Sequence, residues 1–430
     1  MAVGVRLSAD ELTPGGLDTT VAGEIAARLQ DTGLVDFISL VLGNSAHPAA
    51  STWIAPPPPV AADAIASPAA AIRAAVPQAV LVATTRVVEL ASAEQLIAGG
   101  TADLVGMTRA LIADPELVAK TVAGRTEEVI ECVGCNQACI GHYHAGVPIG
   151  CAVNARTGRE RTLVPVRSRT GGRAVLVIGG GPAGAAAALE AASRGDDVTL
   201  VERETELGGQ LRLAGMAPGH VELWERYRRS TAARLRAAGV PVKLGVHADA
   251  DLAQQYEAVV LAAGARPYEP PGAAAAGAIQ AWEVIREPQL AGSPALVADW
   301  GGGWDGLDAA ERLAGAGIEV TLACAAPLPG ETLHQYQRNL YLARLDELGV
   351  TILHHYELAG DDGEPILRHV FSGRSRPLPA ATVVLAQGRV PVDELWSELE
   401  SHPGAVRAGD VLGPRTLEEA VLEGTLALAG

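Results

Sequence analysis

The chain has 430 residues, 48% apolar and 19% charged, which is material for two or three buried cores rather than one. A net charge of −17 excludes a nucleic-acid surface, which needs clustered Lys and Arg, and favours small substrates or protein partners. No apolar run has the length of a membrane span, and the N-terminus MAVGVRLSADEL lacks a signal-peptide pattern, so a cytoplasmic protein is expected.

Residues 1–125 alternate short apolar strands with amphipathic helices. Strands are expected at 2–7, 35–42, 80–84 and 102–107, with helices at 19–30 and 91–98 and a last helix ending near Lys120. This alternation implies parallel pairing and an α/β fold. Residues 43–68 read as a long, Pro-rich, irregular loop, a length often tied to function.

Residues 126–170 lack periodicity and hold four of the five cysteines, as Cys132-x2-Cys135-x3-Cys139-x11-Cys151. Four thiolates satisfy the four irons of a [4Fe-4S] cubane, one each. Structural zinc also takes four cysteines, but its usual pair of C-x2-C knuckles fits this spacing less well. Cys324 stands alone and reads as a small buried hydrophobe. His142 and His144 follow the third cysteine and read as shielding rather than ligating groups.

A second α/β unit begins near 171 with AVLVIGGGPAG, which contains Gly179-x-Gly181-x-x-Gly184. In this motif the first glycine allows a tight turn, the second close approach to a pyrophosphate, and the third helix–strand packing. Strand DVTLVE ends at Glu202, placed to accept hydrogen bonds from an adenosine ribose. Residues 295–306 repeat the spacing at Gly301, Gly303 and Gly306. Here the strand end lacks an acid for a ribose, and Trp304 and Asp305 stand where a phosphate would sit. NAD(P) binding and a purely structural loop both remain open. The domain reading is 1–125, 126–170, 171–290 with 381–430, and an inserted NAD(P)-binding-like unit at 291–380.

The segments CVGCNQAC, GCAVN, ADLVGMTRALIADPEL, ERETELGGQL, VVLAAGARP and QGRVP resemble signatures of the 2,4-dienoyl-CoA reductase and trimethylamine dehydrogenase group. Members of that group are old yellow enzyme relatives with an FMN-bearing TIM barrel fused to two nucleotide domains. The resemblance covers nearly the whole chain. It implies Cys132, Cys135, Cys139 and Cys151 as cluster ligands, and Gly179, Gly181, Gly184, Glu202, Gln210, Gly264 and Asp410 as FAD contacts. It implies Arg6 at the FMN ring and Arg86 and Arg109 at FMN phosphate loops, with surface charge the alternative for both. Thr85 and Thr108 stand where the family often has glycine. His47 lies where the reductases place an active-site histidine, although a solvated loop histidine is the simpler reading.

Only four barrel strands precede the cysteines, against eight in the family. The expected fold is therefore α/β: the C-terminal half of a TIM-type barrel, a [4Fe-4S] segment and two Rossmann-like domains. A partner protein would supply the other strands and complete the FMN site; a self-paired copy or loss of FMN are alternatives. The expected activity is electron relay among FAD, cluster and FMN, with NAD(P)H-dependent reduction of an activated C=C bond. The rivals are an amine or N-methyl dehydrogenase that passes electrons to an electron-transfer flavoprotein, and a non-catalytic electron-transfer subunit.

Overall fold

Parallel strands and helices alternate from the start of the chain in a computed structural model that describes residues 1–164, 172–271, 277–359, 366–377 and 380–428. Strands Gly4–Asp10, Phe37–Leu42, Val80–Ala83 and Leu104–Val105 form a sheet in chain order, every pair parallel. Leu7, Leu40 and Ala83 stand side by side and are buried. They pack beneath helices Thr19–Asp31, Ala66–Ala75 and Leu90–Ala98. Side chains alternate across a sheet, so Arg6, Ser39, Val82 and Leu104 share the opposite face. There Arg6 is exposed, and Val80 and Leu104 are 41% and 55% exposed. Parallel sheets are ordinarily covered on both faces; this one is packed on one.

Some local expectations need correction. The first strand runs to Asp10, and the fourth has only two residues. The 43–68 stretch is not wholly irregular: it contains helix Pro48–Ser51 and runs into Ala66–Ala75. Pro48 is well suited to a first helical turn, and the Ala-rich 69–75 run favours helix. The helix expected to end near Lys120 is two, Thr108–Ala113 and Leu117–Val122, because Pro115 cannot continue the ladder.

Ala174–Ile178 is the centre of a five-stranded parallel sheet with Asp197–Glu202, Val242–Leu244, Ala258–Leu261 and Ala405–Arg407. A second five-stranded parallel sheet is centred on Ala295–Asp299. It includes Ile279–Gln280 and Thr382–Ala386, so the inserted unit reaches beyond 291–380 at both ends. The apolar run 382–386 suits either buried sheet, and only its pairing with Ala295–Asp299 decides between them. The ribbon of Ala265–Pro267 with Arg389–Pro391 links the two units. The expected boundary at 170/171 lies outside the described residues.

Buried polar groups lock the two units together. His220 precedes helix Val221–Ala237, and its Nδ1 lies 3.1 Å from the Asp308 carboxylate of the inserted unit. The Tyr341 hydroxyl donates to the same carboxylate. Burial alone would push His220 down; the charges of Asp308 and Glu311 outweigh it and hold the imidazole above its usual value. Among the described residues, no helix is long and apolar enough to cross a membrane.

Candidate functional site

Two glycine loops open into one cavity of ≈ 920 Å³. The first joins Ala174–Ile178 to helix Pro182–Ser193, with Gly181 as the N-cap. A Cβ at Gly181 would meet nothing nearer than the Gly209 Cα, at 4.0 Å. Space is thus open at a helix N-terminus, where free N–H groups and the dipole favour an anion. Gly184 serves packing instead: a Cβ there would sit 1.8 Å from the Gly179 carbonyl oxygen. Glu202 is buried at its strand end and accepts from the Gly180 N–H at 2.6 Å and the Glu204 N–H at 2.9 Å.

Farther along the cavity, Gln210 Nε2 donates to Asp410 at 2.9 Å. Arg389 donates to Gln210 Oε1 at 2.6 Å and to Asp410 at 2.8 Å. Gly264 and Cys135 also line the cavity. The structure therefore brings Gly179, Gly181, Glu202, Gln210, Gly264 and Asp410 together, and their donor set and open cradle fit FAD. Sequence reasoning missed Arg389, although it lies in the QGRVP signature.

The second loop has the same backbone plan with a different filling. Gly303 is the N-cap of helix Trp304–Gly315, but a Cβ there would lie 2.7 Å from Asp305 Oδ1. The cradle that is open at Gly181 holds a carboxylate at Gly303. Asp299 lies beneath the loop, 2.8 Å from where a Gly306 Cβ would stand. Its Oδ1 accepts from the N–H groups of Gly301, at 3.1 Å, and Gly302, at 2.9 Å. Both acids are buried. Burial, then the Asp305 charge, pushes Asp299 up to about 7, and burial also raises Asp305. The N–H groups and helix end of this loop thus face two carboxylates, unlike those of the first loop. Cys324 is buried as expected, and its thiol lies 3.8 Å from Asp299 Oδ2.

Because Asp299 binds its proton more tightly folded than unfolded, its contribution to stability falls as pH rises from about 4 to 7. Asp299→Asn should remove up to about 4 kcal/mol of that pH dependence. Thermal melts at pH 4.5 and 8 should differ less for the variant than for the wild type.

Cys132, Cys135 and Cys151 pack in one cluster with Trp224 and Tyr227, and mutual charge effects mark Cys139 as their neighbour. Among the described residues, no three His, Cys, Asp or Glu side chains approach closely enough to hold one metal ion. A cubane takes one thiolate per iron, and these four cysteines can supply the set. Backbone N–H groups of Gln137, Ile140, Val153 and Asn154 point at the sulfurs, a contact that tunes cluster potential. Burial pushes the Cys151 thiol up to about 12; thiolates here need a metal's charge. His142 bonds the Pro148 carbonyl and Glu418, each at 2.9 Å. His144 bonds His334 and Gln335.

The FMN-side residues are more scattered. Arg6 is exposed on the uncovered sheet face. Arg86 is 3% exposed, which overturns surface charge for it. It bonds Glu222 and the Val60 carbonyl and leaves a buried Nη1 without a partner. Arg109 donates to Asn136 Oδ1 at 2.7 Å and the Pro56 carbonyl at 3.0 Å. His47 is exposed and caps Pro48–Ser51, Nδ1 accepting from the Ala49 N–H at 3.3 Å.

This paired-loop architecture is matched by a family model over residues 173–406, described as pyridine nucleotide-disulphide oxidoreductase. The chain belongs to that family. This oxidoreductase is 32% identical over 412 residues to a "Probable N-methylproline demethylase" of Rhizobium meliloti (strain 1021), covering 93% of this chain and 60% of that protein. It is 32% identical over 427 residues to the N,N-dimethylglycine/sarcosine dehydrogenase of Chromohalobacter salexigens, with the same coverage, 93% and 60%. A solved 2-naphthoyl-CoA reductase in complex with 2-naphthoyl-CoA superposes with a TM-score of 0.87 at 26% identity, over 98% of this chain and 64% of that one. The chain thus spans 60% of the length of the first two curated relatives. These relatives fit the trimethylamine dehydrogenase and 2,4-dienoyl-CoA reductase group. The chain is a flavin-dependent oxidoreductase.

Proposed function

We propose that this oxidoreductase serves the oxidation of an amine or N-methyl substrate and passes the electrons to a protein acceptor rather than to NAD(P). The carrying observation is the contrast between the cradle open at Gly181 and the one filled by Asp305 at Gly303. The kinship with N-methyl-oxidising relatives supports the same reading.

FAD supplies two-electron chemistry when bound, and a [4Fe-4S] cluster one-electron transfer. Glu202 would hold the adenosine ribose, and the Gly181 helix end the pyrophosphate. Asp410, fixed by Gln210 and Arg389, would meet the ribityl chain. The four cysteines would hold the cluster, with Cys135 on the FAD cavity wall. Further strands of a TIM-type barrel would close on the edge strands Gly4–Asp10 and Leu104–Val105. They would cover the face that carries Arg6 and complete an FMN and substrate site.

The experiment is anaerobic titration of the holoprotein, barrel complete. N-methylproline, dimethylglycine or sarcosine should bleach the flavin, whereas NADH and NADPH should not. Stoichiometric bleaching by either nucleotide would overturn the proposal. It would favour reduction of an activated C=C bond, the reading suggested by the 2-naphthoyl-CoA reductase likeness.

A further inference from the structure

A second cavity of ≈ 370 Å³ shares Pro182 with the first cavity but none of the loop glycines. Its walls are the cysteine segment, the outer side of helix Pro182–Ser193, helix Val221–Ala237 and the last helix, Leu417–Leu426. Two guanidinium groups line it with donors to spare. The half-buried Arg234 side chain makes no hydrogen bond or close ion pair among the described residues, with Asp114 and Tyr227 the groups that favour its charge. Arg156, from the cysteine segment, bonds Glu190 through Nη2 at 2.6 Å, but its Nε is buried without a partner.

The acids in the walls are already engaged. Glu190 also receives Arg194 Nε at 2.9 Å. Glu128 pairs with Arg125 at 2.7 Å, and Glu131 with Arg226 and Arg229. Each wall acid is held by an arginine, and the donors left unused belong to Arg156 and Arg234. Burial disfavours the Arg234 charge most; Tyr227 and Asp114 partly offset this, and Arg156 adds to it. Desolvated donors without acceptors are costly. A doubly charged oxyanion would relieve both terms, because planar guanidinium groups bind such oxygens in pairs. The volume falls within the range of small-ligand sites.

We propose that this cavity is a binding site for a small phosphate-type dianion, held between Arg234 and Arg156 behind the cluster segment. Val133 and Val153, each within two residues of a cluster cysteine, line it. A bound anion would add negative charge beside the cluster and lower its reduction potential. The site differs from the FAD pyrophosphate cradle, which opens on the other cavity.

The test uses the holoprotein with its flavin and iron in place. Inorganic phosphate is titrated against chloride at constant ionic strength, and the thermal midpoint is read. A saturable rise is expected in the wild type. Arg234→Gln should abolish it while flavin and iron contents stay unchanged. Arg234→Lys keeps the charge but loses the fork, and should weaken phosphate roughly tenfold. This variant decides the matter should the glutamine variant not fold. No saturable rise in the wild type, or equal phosphate affinity in the Arg234 variants, overturns the proposal.

Discussion

Gly181→Val should yield a folded protein that has lost FAD. Among the described residues, a new Cβ would have only the Gly209 Cα within reach, at 4.0 Å, so the side chain has room there. It would stand where a pyrophosphate has to approach the helix N-terminus. Losing one or two charge-assisted hydrogen bonds costs about 3 kcal/mol or more, roughly a hundredfold in affinity. Gly184→Val is the contrasting variant. Its Cβ would fall 1.8 Å from the Gly179 carbonyl oxygen, so it should fail at the level of folding. Flavin absorbance per chain after gel filtration, read with far-UV circular dichroism, separates the two. Full flavin content in Gly181→Val would show that the cofactor lies elsewhere.

The first glycine loop was legible because its parts are local: strand, turn, helix and Glu202 fall within thirty residues and obey one geometry. The grouping of the four cysteines is legible for the same reason. What could not be read depends on long-range placement. Arg389 meets Gln210 across 179 positions, and Arg86 meets Glu222 across 136. No periodicity reports such pairs. Asp305 was visible as an anomaly inside the second loop, but Asp299 was not. It sits in an apolar strand, VAD, and only the fold shows its carboxylate turned under the loop to take the Gly301 and Gly302 N–H groups. The 382–386 strand was assigned to the wrong unit because its apolar pattern suits any buried parallel sheet.

The same locality makes the cysteine segment the sharpest place to test the redox reading. Cys135→Ser should strip iron while sparing FAD. A serine hydroxyl is a hard, poorly ionised ligand in place of a thiolate, and each iron of a cubane depends on its own cysteine. Iron should fall from about four per chain to below one. The absorbance of the oxidised cluster should vanish, and transfer to a one-electron acceptor should stop. FAD should remain, because Gly181, Glu202 and Asp410 lie outside the cysteine segment. Cys324→Ser is the internal control. That thiol is buried beside Asp299 in the inserted unit, apart from the four, so iron should be unchanged. Anaerobic metal analysis of both variants and the wild type decides the point. One zinc per wild-type chain, or a full iron complement in Cys135→Ser, would overturn the cluster and with it the relay. Iron lost from Cys135→Ser but kept in Cys324→Ser would support the four clustered cysteines as the ligands.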